Sequence, residues 1–241
     1  RRRLLDIFLS ICHTMAYAHS RRVVHRDLKP ANVMVGAFGE VQVVDWGLAK
    51  VIARGGVADE RRASAAGQAS VSLIQTLRTE PGSAGASVAG SVIGTPSYMP
   101  PEQARGAVDE LDERSDVFSL GAILCELLTG QPPYGTDFRT ALIKAAIADL
   151  AEARQRMAEC GADAALVQLC ERCLAPAPSA RPRDAGELVT ALQQYLAAVE
   201  QRVHDAQLAA VAATTRAEAA RKTRNLTVAL AATALLAIGV G

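Results

Sequence analysis

The chain has 241 residues, of which 50% are apolar, 21% are charged and only 4% are aromatic. Its net charge of +1 lacks the strongly basic balance of a general polyanion binder, so we expect no nucleic-acid partner. Five cysteines are scattered and odd in number, which favours reduced thiols over a disulfide framework.

The first fifth of the chain combines one helical pattern with short strand patterns. Residues 4–20 carry apolar side chains at helical spacing and predict an amphipathic helix. Strands are predicted at three short apolar runs: 23–24, 33–35 and 41–44. The segment Gly36-Ala37-Phe38-Gly39 joins the last two runs and predicts a hairpin between them.

The rest of the chain predicts one long loop and then helices. Residues 51–93 are rich in Ala, Ser, Gly and Thr, which is typical of a mobile loop. Ser115-Asp116 precedes an apolar run at 117–128 that Gly130 ends, so we expect a capped and buried helix there. Further helices are predicted at 138–159, at 162–173 and from Asp184 onward.

Five motifs follow one another in a fixed order. They are His-Arg-Asp-Leu-Lys-Pro-Ala-Asn at 25–32, Asp-Trp-Gly at 45–47, the run GTPSYMPPE at 94–102, SDVFSLG at 115–121, and Arg-Pro at 181–182. In this order they resemble the catalytic loop, the metal-binding motif, the end of the activation segment, the central helix and a late arginine of protein kinases. The resemblance extends over roughly Leu4 to Leu196 and implies the larger, mostly helical lobe of that fold.

The resemblance implies a role for each residue of one site. Asp27 accepts the proton of a substrate hydroxyl, and Lys29 stabilises charge on the transferred phosphate. Asn32 and Asp45 supply oxygen ligands to Mg²⁺, a hard cation that binds oxygen. Thr95 is expected beside Asp27 and Lys29. ATP and Mg²⁺ are the implied cofactors, with Lys29, Asn32 and Asp45 on the nucleotide side.

The catalytic loop also indicates a substrate class. The run Asp-Leu-Lys-Pro that contains Lys29 resembles the serine/threonine branch of the family, so protein Ser and Thr hydroxyls are the implied acceptors of the ATP γ-phosphate. Arg26 resembles the arginine of kinases that are switched by a phosphate on the activation segment, since arginine pairs bidentately with phosphate.

Other matches are expected to be structural. Glu102 and Arg181 resemble a buried ion pair that ties the activation segment to the helical lobe. Asp116 is expected to hold the backbone of the catalytic loop, and His25 and Trp46 are expected to stack in the core.

Two substitutions depart from the family pattern, and the nucleotide-binding elements are a larger departure. Trp46 replaces phenylalanine and keeps an aromatic ring, whereas Pro100 replaces alanine and removes a backbone N–H. The chain shows no Gly-rich loop or strand lysine for the nucleotide, so we expect the smaller lobe to precede Arg1 and the fragment alone to be inactive. The alternative is a non-catalytic pseudokinase that acts as a scaffold at the membrane.

The predicted fold class is mainly α with a short β-hairpin region. The kinase lobe is placed at 1–196, with an activation segment at 45–102 that carries an insert at about 53–92. Residues 197–225 predict an Ala-rich, charged juxtamembrane helix, and 226–241 predict the start of a transmembrane helix.

The ends of the chain suggest a single-pass membrane protein. A basic cluster at 216–224 precedes the apolar tail and places the kinase domain on the cytoplasmic side. This arrangement resembles membrane-anchored receptor kinases of bacteria. The membrane is therefore an implied partner of this chain, and a second copy of the chain is a possible one.

Some cysteines and histidines fit no motif. Cys170 and Cys173 form a CxxC pair without a second pair, so a packed helix is favoured over a zinc or redox site. His13 and His19 have no evident ligand partners and are interpreted as surface or core residues.

Overall fold

The computed structural model describes residues 2–52 and 94–238, with the side chains at 219, 223 and 225–238 excepted. The chain divides into two units, Arg1–Leu192 and Gln193–Gly241. The predicted insert at 53–92 lies outside the described residues.

Helices make up most of the described residues, as predicted. They are α1 (Arg2–Ser20), α2 (Pro101–Ala104), α3 (Glu113–Thr129), α4 (Phe138–Ala146), α5 (Ala151–Glu159), α6 (Ala164–Cys173) and α7 (Ala185–Ile238). The mainly helical fold class with few short strands is therefore confirmed.

The strands form two short antiparallel ribbons. They are β1 (Val23–Val24), β2 (Val33–Val35), β3 (Val41–Val43) and β4 (Lys50–Val51). The predicted hairpin pairs β2 with β3, and β4, which the sequence did not reveal, pairs with β1. The loop at 25–32 runs from β1 to β2 and the loop at 44–49 runs from β3 to β4, so both loops are held at both ends.

Helix α3 forms the centre of the first unit. Val117, Phe118, Leu120 and Leu124 on this helix are fully buried. Gly121 lets α6 approach closely, because a Cβ atom at this position would lie 2.6 Å from Cβ of Cys173. The central helix therefore gives the loops that pack on it a rigid support.

The predicted start of this helix was wrong. Asp112, rather than Ser115, caps α3, and its side chain accepts a hydrogen bond from the N–H of Arg114. Ser115 and Asp116 lie inside the first turn, where both side chains bind distant groups instead of the helix backbone.

The single helix predicted at 138–159 was also wrong, because α4 and α5 are separate helices. Ala148 lies between them with φ of 56°, a left-handed conformation that an α-helix cannot contain. The side chain of Asp149 then accepts a hydrogen bond from the N–H of Ala151 and begins the second helix.

Within the described residues, no helix combines the length and the apolar character needed to cross a bilayer. The sequence predicts the start of a transmembrane helix at 226–241, and the last three of these residues, 239–241, lie outside the described part of the chain.

Candidate active site

The loop at 25–32, here called the catalytic loop, is held by one carboxylate of helix α3. The buried Asp116 accepts the backbone N–H of His25 at 2.8 Å and that of Arg26 at 2.9 Å. Arg26 has φ of 68°, and a non-glycine residue keeps this conformation only where its surroundings hold it. The expected role of Asp116 therefore agrees with the observed contacts.

Aromatic and charged side chains pack beneath the loop. The rings of His25 and Trp46 lie 4.6 Å apart at 55°, and Nε2 of His25 lies 3.1 Å from the carbonyl oxygen of Val44. Arg26 donates through Nε to the carbonyl oxygen of Leu48 at 2.6 Å. Burial lowers the pKa of Arg26, against the opposite effect of nearby Asp116.

Asp27 lies at the centre of a polar cluster. Its Oδ2 accepts from Lys29 Nζ at 2.8 Å and from Asn32 Nδ2 at 3.3 Å. Its Oδ1 accepts from both the N–H and the hydroxyl of Thr95 at 3.0 Å. The two oxygens of Asp27 thus accept from three residues, two in its own loop and one in the activation segment. The structure thus brings together Asp27, Lys29, Asn32 and Thr95, which the sequence singled out.

Lys29 links the two parts of this cluster. Besides its bond to Asp27, its ammonium donates to the Thr95 hydroxyl at 2.7 Å. The lysine side chain is 23% exposed and the Asp27 side chain 9%, so the ammonium lies at the surface of the cluster and the carboxylate beneath it. Among the described residues two of the three donors of this ammonium are used, so the third can bind an anion that approaches from outside.

The residues proposed for Mg²⁺ have suitable oxygens. Asn32 donates through Nδ2 to the carbonyl oxygen of Asp27 at 2.8 Å, which turns its Oδ1 away from that contact. Asp45 is exposed, has φ of 60° and accepts no side-chain hydrogen bond from the described residues. An amide oxygen and a free carboxylate are ligands that Mg²⁺ prefers, so this donor set fits the metal.

The backbone brings Asp45 to the end of the catalytic loop. The N–H of Val44 donates to the carbonyl oxygen of Asn32 at 2.9 Å, and Val43 pairs with Val33 in the hairpin. Strand β2 begins directly after Asn32, and Asp45 lies two residues after its partner strand β3. The hairpin therefore brings Asp45 to the end of the catalytic loop.

A closed ion pair supports the far end of the activation segment. Arg181 donates through both terminal nitrogens to Glu102, at 2.7 Å and 2.9 Å, and both side chains are buried. Burial opposes ionisation of Glu102, but the hydrogen bonds and charge of Arg181 outweigh it and hold the pKa of Glu102 below its ordinary value.

The remaining cysteines and histidines have clear positions. Cys170 and Cys173 are buried on α6, which agrees with the packed-helix interpretation, and burial raises the pKa of the Cys173 thiol to about 12. His13 is exposed, whereas His19 is buried between Asp116 and Ala185. The sequence offered no signal for the His19 contacts, because its partners lie 97 and 166 residues away.

Comparison with known proteins assigns the chain to a family. The protein kinase domain matches residues 1–195. The chain belongs to the protein kinase family. The matched region contains Asp27, Lys29, Asn32 and Thr95, and the family predicted from the sequence is confirmed.

Curated relatives of the chain include serine/threonine-protein kinases of bacteria. PknB of Mycobacterium tuberculosis is 38% identical over 136 residues, which cover 56% of this chain and 17% of that protein. PknD of Chlamydia muridarum is 41% identical over 135 residues, which cover 54% of this chain and 13% of that protein. The chain thus matches only a minor part of the length of these relatives.

Proposed function

We propose that the protein containing this chain is a serine/threonine protein kinase that transfers the γ-phosphate of ATP to Ser or Thr hydroxyls of protein substrates. The observation that carries the proposal is the cluster in which Lys29, Asn32 and Thr95 all donate to Asp27. The names of the bacterial relatives support the serine/threonine class.

Asp27 is proposed to accept the proton of the substrate hydroxyl. A carboxylate offers about four lone-pair sites, and the four donors around Asp27 occupy them. A substrate hydroxyl must therefore displace one of these donors before it can reach the carboxylate. The Thr95 hydroxyl is the suitable one, because it is neutral and can rotate to accept from the substrate instead.

Lys29 is proposed to stabilise the charge on the transferred phosphate. Its ammonium already lies 2.8 Å from the carboxylate of Asp27, so a phosphate bound to it would lie close to the hydroxyl that attacks. Asn32 and Asp45 would hold Mg²⁺, which neutralises charge on the nucleotide phosphates when it is bound.

The test is phosphate transfer from labelled ATP to a protein substrate by the full-length protein. Asp27→Asn is expected to lower kcat by about 1,000-fold or more, since the proton acceptor is lost. Asp109→Asn is the matched control, because Asp109 is exposed and lies outside the cluster. Equal activity of the Asp27→Asn variant and the wild type would contradict the proposal.

The same assay decides between the two functions predicted from the sequence. If the full-length wild type binds protein partners but transfers no phosphate, the pseudokinase scaffold is the correct function. Assaying the 241-residue chain beside the full-length protein tests the prediction that the chain alone is inactive.

Membrane attachment and dimerisation are further parts of the proposal. A basic cluster that contains Arg216, Arg221, Lys222 and Arg224 precedes the uncharged run 226–241, which supports a single-pass anchor with the kinase domain in the cytoplasm. Fractionation of cells that express the full-length protein tests the anchor, and light scattering of the detergent-solubilised protein tests the dimer.

A further inference from the structure

His19, the residue before the last of α1, has a partner on each ring nitrogen. Its Nε2 lies 3.0 Å from Oδ2 of Asp116, and the backbone nitrogen of Ala185 lies 3.1 Å from its Nδ1. His19 is only 6% exposed and Ala185 is fully buried, so water does not readily replace either bond.

These partners decide which nitrogen of His19 carries the proton. A backbone N–H only donates, so Nδ1 must present its lone pair to Ala185. The carboxylate of Asp116 accepts, so Nε2 must carry the hydrogen that points at it. The neutral Nε2–H ring satisfies both partners, whereas a doubly protonated ring would place one N–H against another. The surroundings therefore select a single tautomer of His19.

Asp116 extends this arrangement to the catalytic loop. The same Oδ2 that accepts from His19 accepts the N–H of His25 at 2.8 Å, and Oδ1 accepts that of Arg26 at 2.9 Å. Arg26 has a left-handed backbone, so its conformation depends on this support. Asp27 is the next residue, and the direction of the Asp116 carboxylate therefore helps to set its position.

We infer that His19 is a positioning residue, which acts through Asp116 on the catalytic loop and ties that loop to the first turn of α7. Its bond from Ala185 satisfies one of the N–H groups that a helix leaves unpaired at its start. Asp184 satisfies another, by accepting the N–H of Glu187 at 2.9 Å. The catalytic readout of this inference rests on the proposed function, but its structural readout does not.

Two substitutions separate the two bonds of His19. His19→Gln keeps an N–H donor that reaches about as far as Nε2 toward Asp116. His19→Asn keeps an acceptor near the position of Nδ1 for Ala185 but is too short to reach Asp116. These variants differ in which bond they retain, so their comparison shows which bond matters to the catalytic loop.

In the full-length protein we expect His19→Asn to lower kcat about tenfold with little change in KM for the protein substrate, since a bond to a buried charge is lost. His19→Gln is expected to keep most of the wild-type kcat. His13→Asn is the matched control, because His13 is exposed on the same helix, and it should match the wild type.

Two measurements do not depend on activity. Nitrogen-15 NMR of labelled histidine should show His19 with a protonated Nε2 and a bare Nδ1. Hydrogen exchange should be faster at the amides of His25 and Arg26 in His19→Asn than in His19→Gln.

The inference is overturned if Nδ1 carries the proton, or if both variants lose kcat equally and only in proportion to their loss of stability. Absence of phosphate transfer by the wild type would instead refute the proposed function. The NMR and exchange measurements would then still decide whether His19 positions the loop.

Discussion

Two ion pairs in the first unit differ in how far their side chains are exposed to solvent. Arg181 and Glu102 are 0% and 1% exposed at their side chains, and Lys29 and Asp27 are 23% and 9% exposed. Arg181 uses all five of its N–H groups, three of them on the carbonyl oxygens of Arg114, Ala175 and Pro176. The Glu102 pair is therefore closed, whereas the Asp27 pair is open on one side.

The difference indicates what each pair does. A buried pair with every donor satisfied cannot admit a ligand, and removal of one partner leaves a charge stranded in the core. An open pair leaves its lysine within reach of solvent, and Asn32 and Thr95 still donate to the Asp27 carboxylate when that lysine is lost. Such a pair can therefore exchange a donor for a substrate atom at a small cost in stability. We therefore expect substitutions in the closed pair to change stability and substitutions in the open pair to change catalysis.

The largest effect is expected for Glu102→Gln. This change leaves the Arg181 guanidinium buried without its countercharge, and we expect the free energy of unfolding to fall by about 3–5 kcal/mol. Denaturant unfolding of the variant and the wild type measures it. Glu110→Gln is the matched control, because Glu110 is exposed and its change should cost less than about 0.5 kcal/mol. A loss below about 1 kcal/mol for Glu102→Gln would contradict the assignment of a closed pair.

Lys29→Met should show the reverse pattern. Loss of the ammonium removes stabilisation of the transferred phosphate, so we expect kcat to fall about 100-fold while the free energy of unfolding changes by less than about 1 kcal/mol. Steady-state kinetics and denaturant unfolding of the same preparation measure both quantities. Lys222→Met, at an exposed position, should leave both unchanged. A large loss of stability without a loss of kcat would break the distinction between the pairs.

The open site was easier to predict from sequence than the support around it. Asp27, Lys29 and Asn32 lie within one short loop, so their spacing already brings them near one another. Thr95 was placed there by resemblance, and the structure locates its hydroxyl 3.0 Å from Asp27. The proximity of residues within a local loop can thus be predicted from a motif.

The support depends on contacts that a local pattern does not contain. Ser115 and Asp116 resemble a helix cap, but their side chains bind Glu102 and the catalytic loop, so the true cap lies earlier at Asp112. Ala148 carries no sign of the left-handed conformation that separates α4 from α5, since alanine favours helices. Both errors arise because tertiary contacts override local preference.

A smaller effect is expected for Ser115→Ala. The Ser115 hydroxyl donates to Oε1 of Glu102 at 3.0 Å and is buried, so its loss should cost about 1–1.5 kcal/mol of unfolding free energy. The kcat should stay at the wild-type value. Ser20→Ala removes an exposed hydroxyl that bonds only its own helix, and it should cost less than about 0.5 kcal/mol. A drop in kcat for Ser115→Ala that exceeds its effect on stability would show that the closed pair also serves catalysis.

The smallest expected effect is the change with pH, near neutrality, in the stability that the charge of Glu102 contributes. The folded pKa of Glu102 lies below its ordinary value, because Arg181 outweighs the opposing effect of burial. Its stabilisation is therefore complete above the unfolded pKa of about 4.3 and is lost as pH falls through the folded value. Between pH 8 and 6 we expect no change from this group.

Denaturant unfolding of the wild type and Glu102→Gln from pH 7 to pH 3 measures this contribution. The difference between the two proteins should be constant near neutrality and should narrow in acid, because the wild-type carboxylate then takes up a proton and loses its charge. If the two free energies of unfolding differ as much at pH 3 as at pH 7, the stabilising effect of Glu102 comes from its shape and hydrogen bonds to Arg181 rather than from its charge. The closed pair would then owe its stability to its saturated hydrogen bonds alone.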